Sequence, residues 1–361
     1  MKSVGMYIHI PYCRSKCPYC DFFSLADRDS AAQYVRAVCR TIEAFFTANH
    51  CKADTLYIGG GTPSVLTGEQ IACVVHCARR YAADLEEITV ECNPSDCSED
   101  FLREIFAAGV NRLSFGMQSA VERERRALGR RADRARIAAA VKSAQAVGFR
   151  NISVDLMLGI PGQTSESLSE SIRFCASLGV QHISAYLLKI EDGTPFAKKR
   201  ETLSLPDEDT TADLYLQCVA GLEQAGWRQY EISNFALPGF ESRHNLKYWR
   251  VEEYIGIGAA AHSFFGGKRF YYPRDIAYFI DGGEPLADGT GGDREEKIML
   301  GLRLCEGIPA AWLSPKAQEN LPLLCEQGLA TYKDNTIALT PKGFLISNSI
   351  INLLTEGNDY E

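Results

Sequence analysis

The sequence predicts an α/β fold in which six parallel strands alternate with helices in a partial (β/α)6 barrel, followed by a small C-terminal α+β domain. Short apolar runs alternate with longer amphipathic runs through residues 1–226, which is the pattern of a parallel sheet with helical crossovers. Gly109, Gly148, Gly179 and Gly226 each follow a helical run, where a left-handed C-cap favours glycine. Right-handed crossovers in sequence order then close the sheet into a full or partial barrel.

The individual elements follow from these two periodicities. Strands are predicted at residues 4–10, 55–58, 88–91, 112–117, 152–157 and 182–188. Helices are predicted at residues 31–48, 67–81, 99–108, 134–147, 165–178 and 207–225. We therefore expect the barrel domain to occupy residues 1–226.

The pattern changes after Gly226. We expect residues 227–290 to be a connecting segment, with one more strand and turn near 229–235 and a linker rich in glycine and acidic residues over 281–293. Residues 291–361 predict helices, a short hairpin around Asp334 and Asn335 and a final helix, which is typical of a winged-helix-like domain. In an acidic protein we expect this domain to pack against its neighbours rather than to bind DNA.

Composition excludes several classes of protein. The formal net charge of −8 argues against nucleic acid as a partner, and no apolar run approaches the ~20 residues that cross a bilayer. The N-terminus lacks the apolar region and cleavage site of a signal peptide. We therefore expect a cytoplasmic protein, in which clustered cysteines bind metal or catalyse rather than form disulfides.

The strongest chemical signal is the spacing Cys-x3-Cys-x2-Cys at Cys13, Cys17 and Cys20, directly after the first predicted strand. A tetrahedral zinc site usually takes four protein ligands in two separated pairs. A [4Fe-4S] cluster has four irons held by thiolates, so three close cysteines hold three irons and leave the fourth open. The motif therefore predicts a cluster with an open, reactive iron.

Conspicuous residues also recur where the predicted strands end, and parallel barrels carry their chemistry at that edge. These residues are Gly59, Gly60, Gly61, Thr62, Glu91, Asn93, Gln118, Asp155, Gly159 and Tyr186. Carboxylates such as Glu91 and Asp155 are costly to bury without partners, so we interpret them as site residues.

Together these motifs resemble the radical S-adenosylmethionine (SAM) superfamily and, within it, the oxygen-independent coproporphyrinogen oxidase group. The resemblance covers nearly the whole chain. It rests on Tyr7-Ile-His-Ile-Pro with the cysteines, Tyr57-Ile-Gly-Gly-Gly-Thr-Pro-Ser, Glu91-Cys-Asn-Pro, Ser114-Phe-Gly-Met-Gln-Ser, Leu128-Gly-Arg, Val154-Asp-Leu-Met-Leu-Gly-Ile-Pro-Gly-Gln-Thr and Ser184-Ala-Tyr. The cysteine motif alone indicates the superfamily, and the other motifs narrow it to this group.

The resemblance implies a radical SAM barrel and a role for each matching residue. Cys13, Cys17 and Cys20 would hold the [4Fe-4S] cluster, which takes an electron from a donor protein and cleaves SAM to a 5′-deoxyadenosyl radical. The residues implied to bind SAM are Tyr7, Tyr19, Gly60, Gly61, Thr62, Glu91, Gln118, Arg130 and Asp155. The chemistry agrees, because SAM carries an ammonium and a sulfonium that suit carboxylates, and a carboxylate that suits the arginine fork.

Two departures from the oxidases favour a different subgroup. The oxidases carry a fourth cysteine where this chain has Phe22, and they have a longer N-terminal extension. His244-Asn245-x-x-Tyr248-Trp249 matches instead the signature of the haem chaperone family HemW. That resemblance implies a protein that binds haem and delivers it to acceptor haemoproteins, including membrane-bound respiratory subunits, so that any contact with the inner membrane occurs through these partners.

The resemblance leaves two interpretations of this motif open. His244, Asn245, Tyr248 and Trp249 form a haem site in the first, because imidazole is a common axial ligand and the two aromatic rings can line a flat macrocycle. In the second, the motif is a structural corner, and His262 or a cysteine is the haem ligand.

Other functions remain open as well. The chain could be an oxygen-independent coproporphyrinogen III dehydrogenase, which Phe22 disfavours, or a two-SAM radical methyltransferase, which the His-Asn motif disfavours. A non-enzymatic interaction protein is disfavoured by the intact SAM-binding residues. Cys73-x3-Cys77 with His76 has the spacing of a metal pair on one helical face, but without a second pair nearby we expect the two cysteines to be buried thiols.

Overall fold

The computed structural model describes residues 2–355; residues 1 and 356–361, the outer ends of the first and third predicted domains, lie outside them. The strands of the main sheet are β1 (Ser3–Ile10), β2 (Lys52–Gly60), β3 (Ala82–Cys92), β4 (Arg112–Gln118), β5 (Asn151–Leu158), β6 (His182–Leu187), β7 (Arg228–Glu231), β8 (Asn234–Ala236), β9 (Tyr254–Ile257), β10 (His262–Phe265), β11 (Lys268–Tyr271) and β12 (Leu286–Thr290).

The helices that accompany this sheet lie between its strands. They are α1 (Ala31–Asn49), α2 (Gly68–Arg79), α3 (Glu99–Ala108), α4 (Glu122–Ala127), α5 (Arg134–Val147), α6 (Ser165–Leu178), α7 (Pro195–Lys198), α8 (Glu208–Gln224), α9 (Arg243–Trp249) and α10 (Ile276–Ile280). The side chains of Thr67, Ser98, Asp133, Thr164 and Asp207 cap the N-termini of α2, α3, α5, α6 and α8. The four predicted C-terminal glycines all have positive φ, so the cap signals were interpreted correctly.

The parallel strands β1 to β6 lie side by side in sequence order, and the full sheet has the order β12-β11-β10-β9-β1-β2-β3-β4-β5-β6-β8-β7. The two outer parallel strands pair with added strands instead of with each other, so the barrel stays open. The predicted fold class, a partial α/β barrel with a small C-terminal domain, is confirmed.

The segment after Gly226 adds strands to both edges of the main sheet. Strands β8 and β7 extend the sheet beyond β6, while β9 to β12 extend it beyond β1. The expectation of a linker over 281–293 is wrong for the five residues of β12, which pair with β11 although all five are exposed. The acidic and glycine-rich composition that suggested a linker is also what an exposed edge strand tolerates.

The C-terminal part has its own three-stranded antiparallel sheet with the order β13-β15-β14. Its elements are α11 (Arg294–Gly301), β13 (Ile308–Pro309), α12 (Pro315–Gln318), α13 (Leu321–Glu326), β14 (Ala330–Lys333), β15 (Thr336–Leu339), α14 (Pro341–Leu345) and α15 (Ser347–Thr355). Asp334 and Asn335 make the predicted two-residue turn, both with positive φ, which is the conformation that such hairpins require.

The two faces of the barrel strands differ in polarity. On β1, Met6, Ile8 and Ile10 are fully buried in the apolar core, whereas the alternate residues Tyr7 and His9 face the barrel interior. That interior is polar and holds buried groups such as Thr55, Glu87, Thr89, Arg112, Ser153 and His182. Among residues 2–355, no helix combines the length and the hydropathy needed to cross a bilayer.

Candidate cofactor site

An inner cavity lies at the carboxyl ends of the parallel strands, where the barrel rule places chemistry. It brings together almost all of the predicted cluster and cofactor residues. They are Cys13, Cys17, Cys20, Tyr19, Gly60, Gly61, Thr62, Glu91, Gln118, Arg130 and Asp155. Residues that are more than a hundred positions apart in the sequence thus form one wall.

Three thiols meet at one side of the inner cavity. Cys13 Sγ lies 3.1 Å from Thr62 Oγ1 and Arg130 Nη1 lies 3.8 Å from Cys17 Sγ. Within residues 2–355, no group of His, Cys, Asp and Glu side chains is close enough to hold a single metal ion. That spacing is expected when three thiolates bind three different irons of a larger cluster, so the donor set fits a [4Fe-4S] cluster.

Neighbouring residues pack closely against the glycine loop that follows β2. Gly60 has φ +111°, and a Cβ atom there would come within 2.8 Å of the His9 ring. A Cβ atom on Gly61 would come within 2.5 Å of the Tyr12 carbonyl oxygen. The loop therefore needs glycine at both positions and exposes backbone to the cavity.

Tyr7 does not line the inner cavity, contrary to its implied role. Its hydroxyl lies 3.0 Å from His9 Nδ1, and His9 Nε2 lies 3.0 Å from the Phe23 carbonyl oxygen. These contacts hold the His9 ring under Gly60. Tyr7 therefore supports the glycine loop from inside the barrel.

Two carboxyl groups face the inner cavity with pKa values near neutrality. The Tyr57 hydroxyl and the Gly60 N–H donate to the two oxygens of Glu91, at 2.8 and 3.1 Å. Burial is the main cause that raises the pKa of Glu91 to about 7 and that of Asp155 to about 6. The Ser114 hydroxyl donates to Asp155 at 3.2 Å. A cationic ligand would favour the ionised form of both groups.

The opposite wall holds a fixed cation and a strained residue. Arg130 Nη2 donates to the Gly116 carbonyl oxygen. Gln118 is buried with φ +72°, an uncommon conformation for a residue other than glycine. The Tyr186 hydroxyl donates to Gln118 Oε1 at 2.9 Å. Strain held in place by neighbouring groups is characteristic of ligand sites.

Some residues of this wall have no predicted role. Ser24, Ser114 and Gly116 also line the inner cavity. Ser114 and Gly116 belong to the Ser114-Phe-Gly-Met-Gln-Ser motif, and their alternation with Gln118 along β4 is the signal that assigns them to the cavity. Ser24 carries no such signal, because its position depends on how the cysteine loop returns to the barrel.

A larger outer cavity of about 490 Å³ opens beside the inner one and shares Glu91, Asp155 and Tyr186 with it. Its apolar wall consists of Phe22, Met157, Leu187 and Leu188, and Asn245 also contributes. Phe22 and Leu187 are 67% and 40% exposed. An apolar surface that remains open to solvent at a cavity mouth is typical of a binding site.

The His-Asn-x-x-Tyr-Trp motif forms α9, which closes the barrel at the end opposite the cysteines. Glu87 accepts hydrogen bonds from the N–H groups of Arg243 and His244, both at 3.0 Å, and from the Ser242 hydroxyl at 3.4 Å. A carboxylate at this position satisfies the free N–H groups of the first helical turn. The motif therefore makes the plug of the barrel.

His244 is enclosed within this plug. Its Nδ1 lies 2.9 Å from Thr55 Oγ1 and its Nε2 lies 2.8 Å from the Tyr248 hydroxyl. Burial lowers the pKa of His244 to about 3. With no accessible surface and both nitrogens paired, His244 offers no atom to a haem iron, so the structure does not support its expected role as axial ligand.

The rest of the expected haem residues do not form one surface either. Asn245 faces the outer cavity, whereas the Tyr248 hydroxyl is engaged with His244 and the Trp249 ring lies 6.0 Å from the Arg303 guanidinium. His262, the alternative ligand, is exposed on β10 and stacks on Tyr271. The structural-corner interpretation of the motif is the one with supporting contacts.

Comparison with known proteins relates the sequence and the fold to one group. Residues 7–175 match the family model of the radical SAM superfamily. The chain is 39% identical to the haem chaperone HemW of Escherichia coli (strain K12) over 98% of each chain. It is 36% identical to the haem chaperone HemW of Bacillus subtilis (strain 168) over 97% of this chain and 98% of that protein.

Among solved structures, the coproporphyrinogen III oxidase HemN of Escherichia coli, a radical SAM enzyme, has the same fold. It superposes with a TM-score of 0.83 over 98% of this chain and 90% of that chain, at 24% sequence identity. At this identity the likeness shows the fold alone.

Proposed function

We propose that this chain, which belongs to the HemW family of radical SAM proteins, is a haem chaperone that binds haem and transfers it to acceptor haemoproteins. The observation that carries the proposal is identity to HemW proteins along nearly the full length of both chains. We further propose a cytoplasmic protein whose acceptors include membrane-bound respiratory subunits, with a separate protein as electron donor.

The family implies a [4Fe-4S] cluster and SAM, and the inner cavity fits both. Cys13, Cys17 and Cys20 would hold the cluster, which when bound supplies a one-electron reduction of SAM. Arg130 presents a fork that suits a carboxylate, and the backbone of the glycine loop can approach the methionyl end closely. Glu91 with Asp155 can accept hydrogen bonds from the ammonium and ribose hydroxyl groups, while Gln118, Tyr19 and Thr62 complete the wall.

SAM binding is expected to strengthen as the pH rises through the titration of Glu91 and Asp155. Their pKa values of about 7 and 6 mean that both are partly protonated in slightly acidic solution, and only the ionised forms attract the ammonium and sulfonium. We expect Kd to fall about tenfold between roughly pH 5.5 and 8, with proton release, measured by calorimetry in two buffers of different ionisation enthalpy. Glu91→Gln should flatten the upper part of this curve; an unchanged curve would contradict the assignment.

We infer that haem binds at the outer cavity, and the lining of this cavity supports the inference. Phe22, Leu187 and Leu188 give an apolar surface that a flat macrocycle can cover. Lys189 at the rim pairs with Glu191 at 2.6 Å and can exchange this partner for a propionate. Phe22 stands where the oxidases have a fourth cysteine, so the same position that distinguishes the two subgroups also shapes this mouth. Covering such side chains gains roughly 1.5–3 kcal/mol each when burial is complete.

A charge placed on the apolar mouth should therefore weaken haem binding. We expect Leu187→Asp and Phe22→Asp to raise the haem Kd about tenfold or more, because each removes apolar contact and adds a desolvation cost. Absorption titration with haem measures this change. Leu323→Asp is the matched control, since Leu323 is an exposed leucine of the C-terminal domain. Equal affinities in all three variants would place haem elsewhere.

The second candidate function is coproporphyrinogen III dehydrogenase, because the cysteine motif, the glycine loop and the strand-end motifs also resemble those of the oxidase group. The deciding experiment is anaerobic reconstitution of the cluster followed by parallel assays for haem binding, SAM cleavage and decarboxylation of coproporphyrinogen III. We expect haem binding without conversion of coproporphyrinogen III. Stoichiometric formation of protoporphyrinogen would overturn the chaperone proposal.

A further inference from the structure

Three cysteines meet on the outer layer of helices, away from both cavities. Cys39 lies on α1, and Cys73 and Cys77 lie one turn apart on α2. The Sγ atoms of Cys39 and Cys73 are 3.9 Å apart, and Cys77 Sγ lies 3.5 Å from the Cys39 carbonyl oxygen. The Cys73-x3-Cys77 pair noted in the sequence thus acquires a third thiol from a distant segment.

These thiols do not form a site for a single metal ion in the part of the chain that the structure describes. They differ instead in access and in charge. Cys73 is exposed and Cys39 half-buried, while Cys77 is buried. A hydrogen bond from the Cys39 thiol and the Arg80 guanidinium, whose Nη2 lies 3.4 Å from Cys77 Sγ, lower the pKa of Cys77 to about 6. Because Cys77 is buried, it is not a point of entry for a soluble oxidant.

We propose that Cys39, Cys73 and Cys77 form a reversible oxidation site in which a low-molecular-weight disulfide, such as oxidised glutathione, converts Cys39 and Cys73 into a disulfide that joins α1 to α2. Exposed Cys73 is the point of entry, and Cys39 is the resolving thiol. Closing the bond brings the two Sγ atoms from 3.9 Å to about 2.05 Å. Side-chain rotation on two neighbouring helices can supply such a movement. By contrast, Cys92 and Cys97 also interact but are both buried.

The reaction proceeds in two exchanges. The Cys73 thiolate attacks one sulfur of glutathione disulfide, so that a mixed disulfide forms and one glutathione thiolate leaves. The Cys39 thiol then gives its proton to the glutathione thiolate released in the first exchange and attacks Cys73 Sγ, 3.9 Å away, so that the second glutathione leaves as a thiolate. The two protein thiols lose two electrons and two protons, and the small disulfide becomes two thiols.

The test is incubation of the cluster-loaded full-length protein with oxidised glutathione without oxygen, followed by alkylation and tryptic peptide mapping. Trypsin places Cys39 in peptide 37–40 and leaves Cys73 and Cys77 together in peptide 53–79. We expect these two peptides to be linked, with fragmentation between the latter cysteines assigning the bond to Cys73. Dithiothreitol should reverse it.

Variants separate the roles of the three thiols. Cys39→Ser should trap a glutathione adduct on Cys73, Cys73→Ser should give neither adduct nor bridge, and Cys77→Ser should still form the Cys39–Cys73 bridge. Cys218→Ser, which changes a buried cysteine of α8, is the matched control and should behave as the wild type. A glutathione adduct that persists on wild-type Cys73, or no reaction at Cys73, would overturn the proposal. Because neither haem nor SAM takes part, a failure here is distinct from a failure of the proposed function.

Discussion

Replacing any one of Cys13, Cys17 and Cys20 with alanine should abolish the stable [4Fe-4S] cluster. Each thiolate is expected to bind a separate iron, and the described residues provide no group close enough to hold even a single ion. Loss of one thiolate leaves two irons of the cube without protein ligands. Reconstituted variants should lose the broad visible absorption of the cluster and most of their iron, measured by spectroscopy and iron analysis.

Two controls make this result specific. Cys218→Ser should retain the cluster, because Cys218 is buried on α8. Haem binding at the outer cavity should persist in the Cys13 and Cys17 variants, since neither residue lines that cavity and Phe22, Leu187 and Leu188 remain. A full complement of iron in Cys17→Ala would show that Cys17 is not a ligand.

His244→Ala should destabilise the fold strongly while leaving the affinity for haem within about twofold of the wild type. The change removes a fully buried ring and leaves the Thr55 and Tyr248 hydroxyls without partners. Cavity formation and lost hydrogen bonds together should lower the free energy of unfolding by about 3 kcal/mol. Denaturant unfolding measures the loss, and absorption titration below the unfolding transition measures haem binding.

The pH dependence of this variant supplies a second measurement. The pKa of His244 is about 3 in the folded protein and 6.5 ordinarily, so in the wild type its contribution to stability is present above pH 6.5 and declines as the pH falls toward 3. The slope is at most about 1.4 kcal/mol per pH unit. Between pH 6.5 and 3, the free energy of unfolding of His244→Ala should therefore fall less steeply than that of the wild type.

Tyr248→Phe is the matched control for the buried ring. It removes only the hydroxyl that meets His244 Nε2 and should cost about 1 kcal/mol. A lost Soret band in His244→Ala, with unchanged stability, would instead restore the axial-ligand interpretation and contradict the plug.

Much of the barrel was predictable because its signals are local. Alternating apolar runs and helical runs follow directly from the geometry of each element, and the glycines after the helices mark their ends. The order β1 to β6 then follows from right-handed crossovers. The bounds were less accurate, since β2 and β3 begin at Lys52 and Ala82, before the apolar runs that identified them. Their added residues are held by pairing with neighbouring strands.

The inner cavity was predictable for a related reason. Residues at the carboxyl ends of parallel strands meet at one edge, so Glu91, Gln118 and Asp155 could be grouped without knowing a single distance. Tyr7 was assigned from the family resemblance instead, and it lies three residues before the end of β1 with its hydroxyl against His9 inside the barrel. The tyrosine matches the family motif, but its position along β1 leaves its side chain outside the lining of the inner cavity.

The sequence by itself determined the fold class, the three-cysteine motif and the set of residues at the strand ends. Each of these depends on patterns between residues that are close together in the chain. Only the tertiary structure decided that α9 plugs the barrel, that β12 is a strand and that Cys39 joins Cys73 and Cys77. These features depend on pairing between segments far apart in the chain, and on burial that occupies both nitrogens of His244. A motif shows which atoms are present, whereas closure of the fold decides which of them remain free to bind.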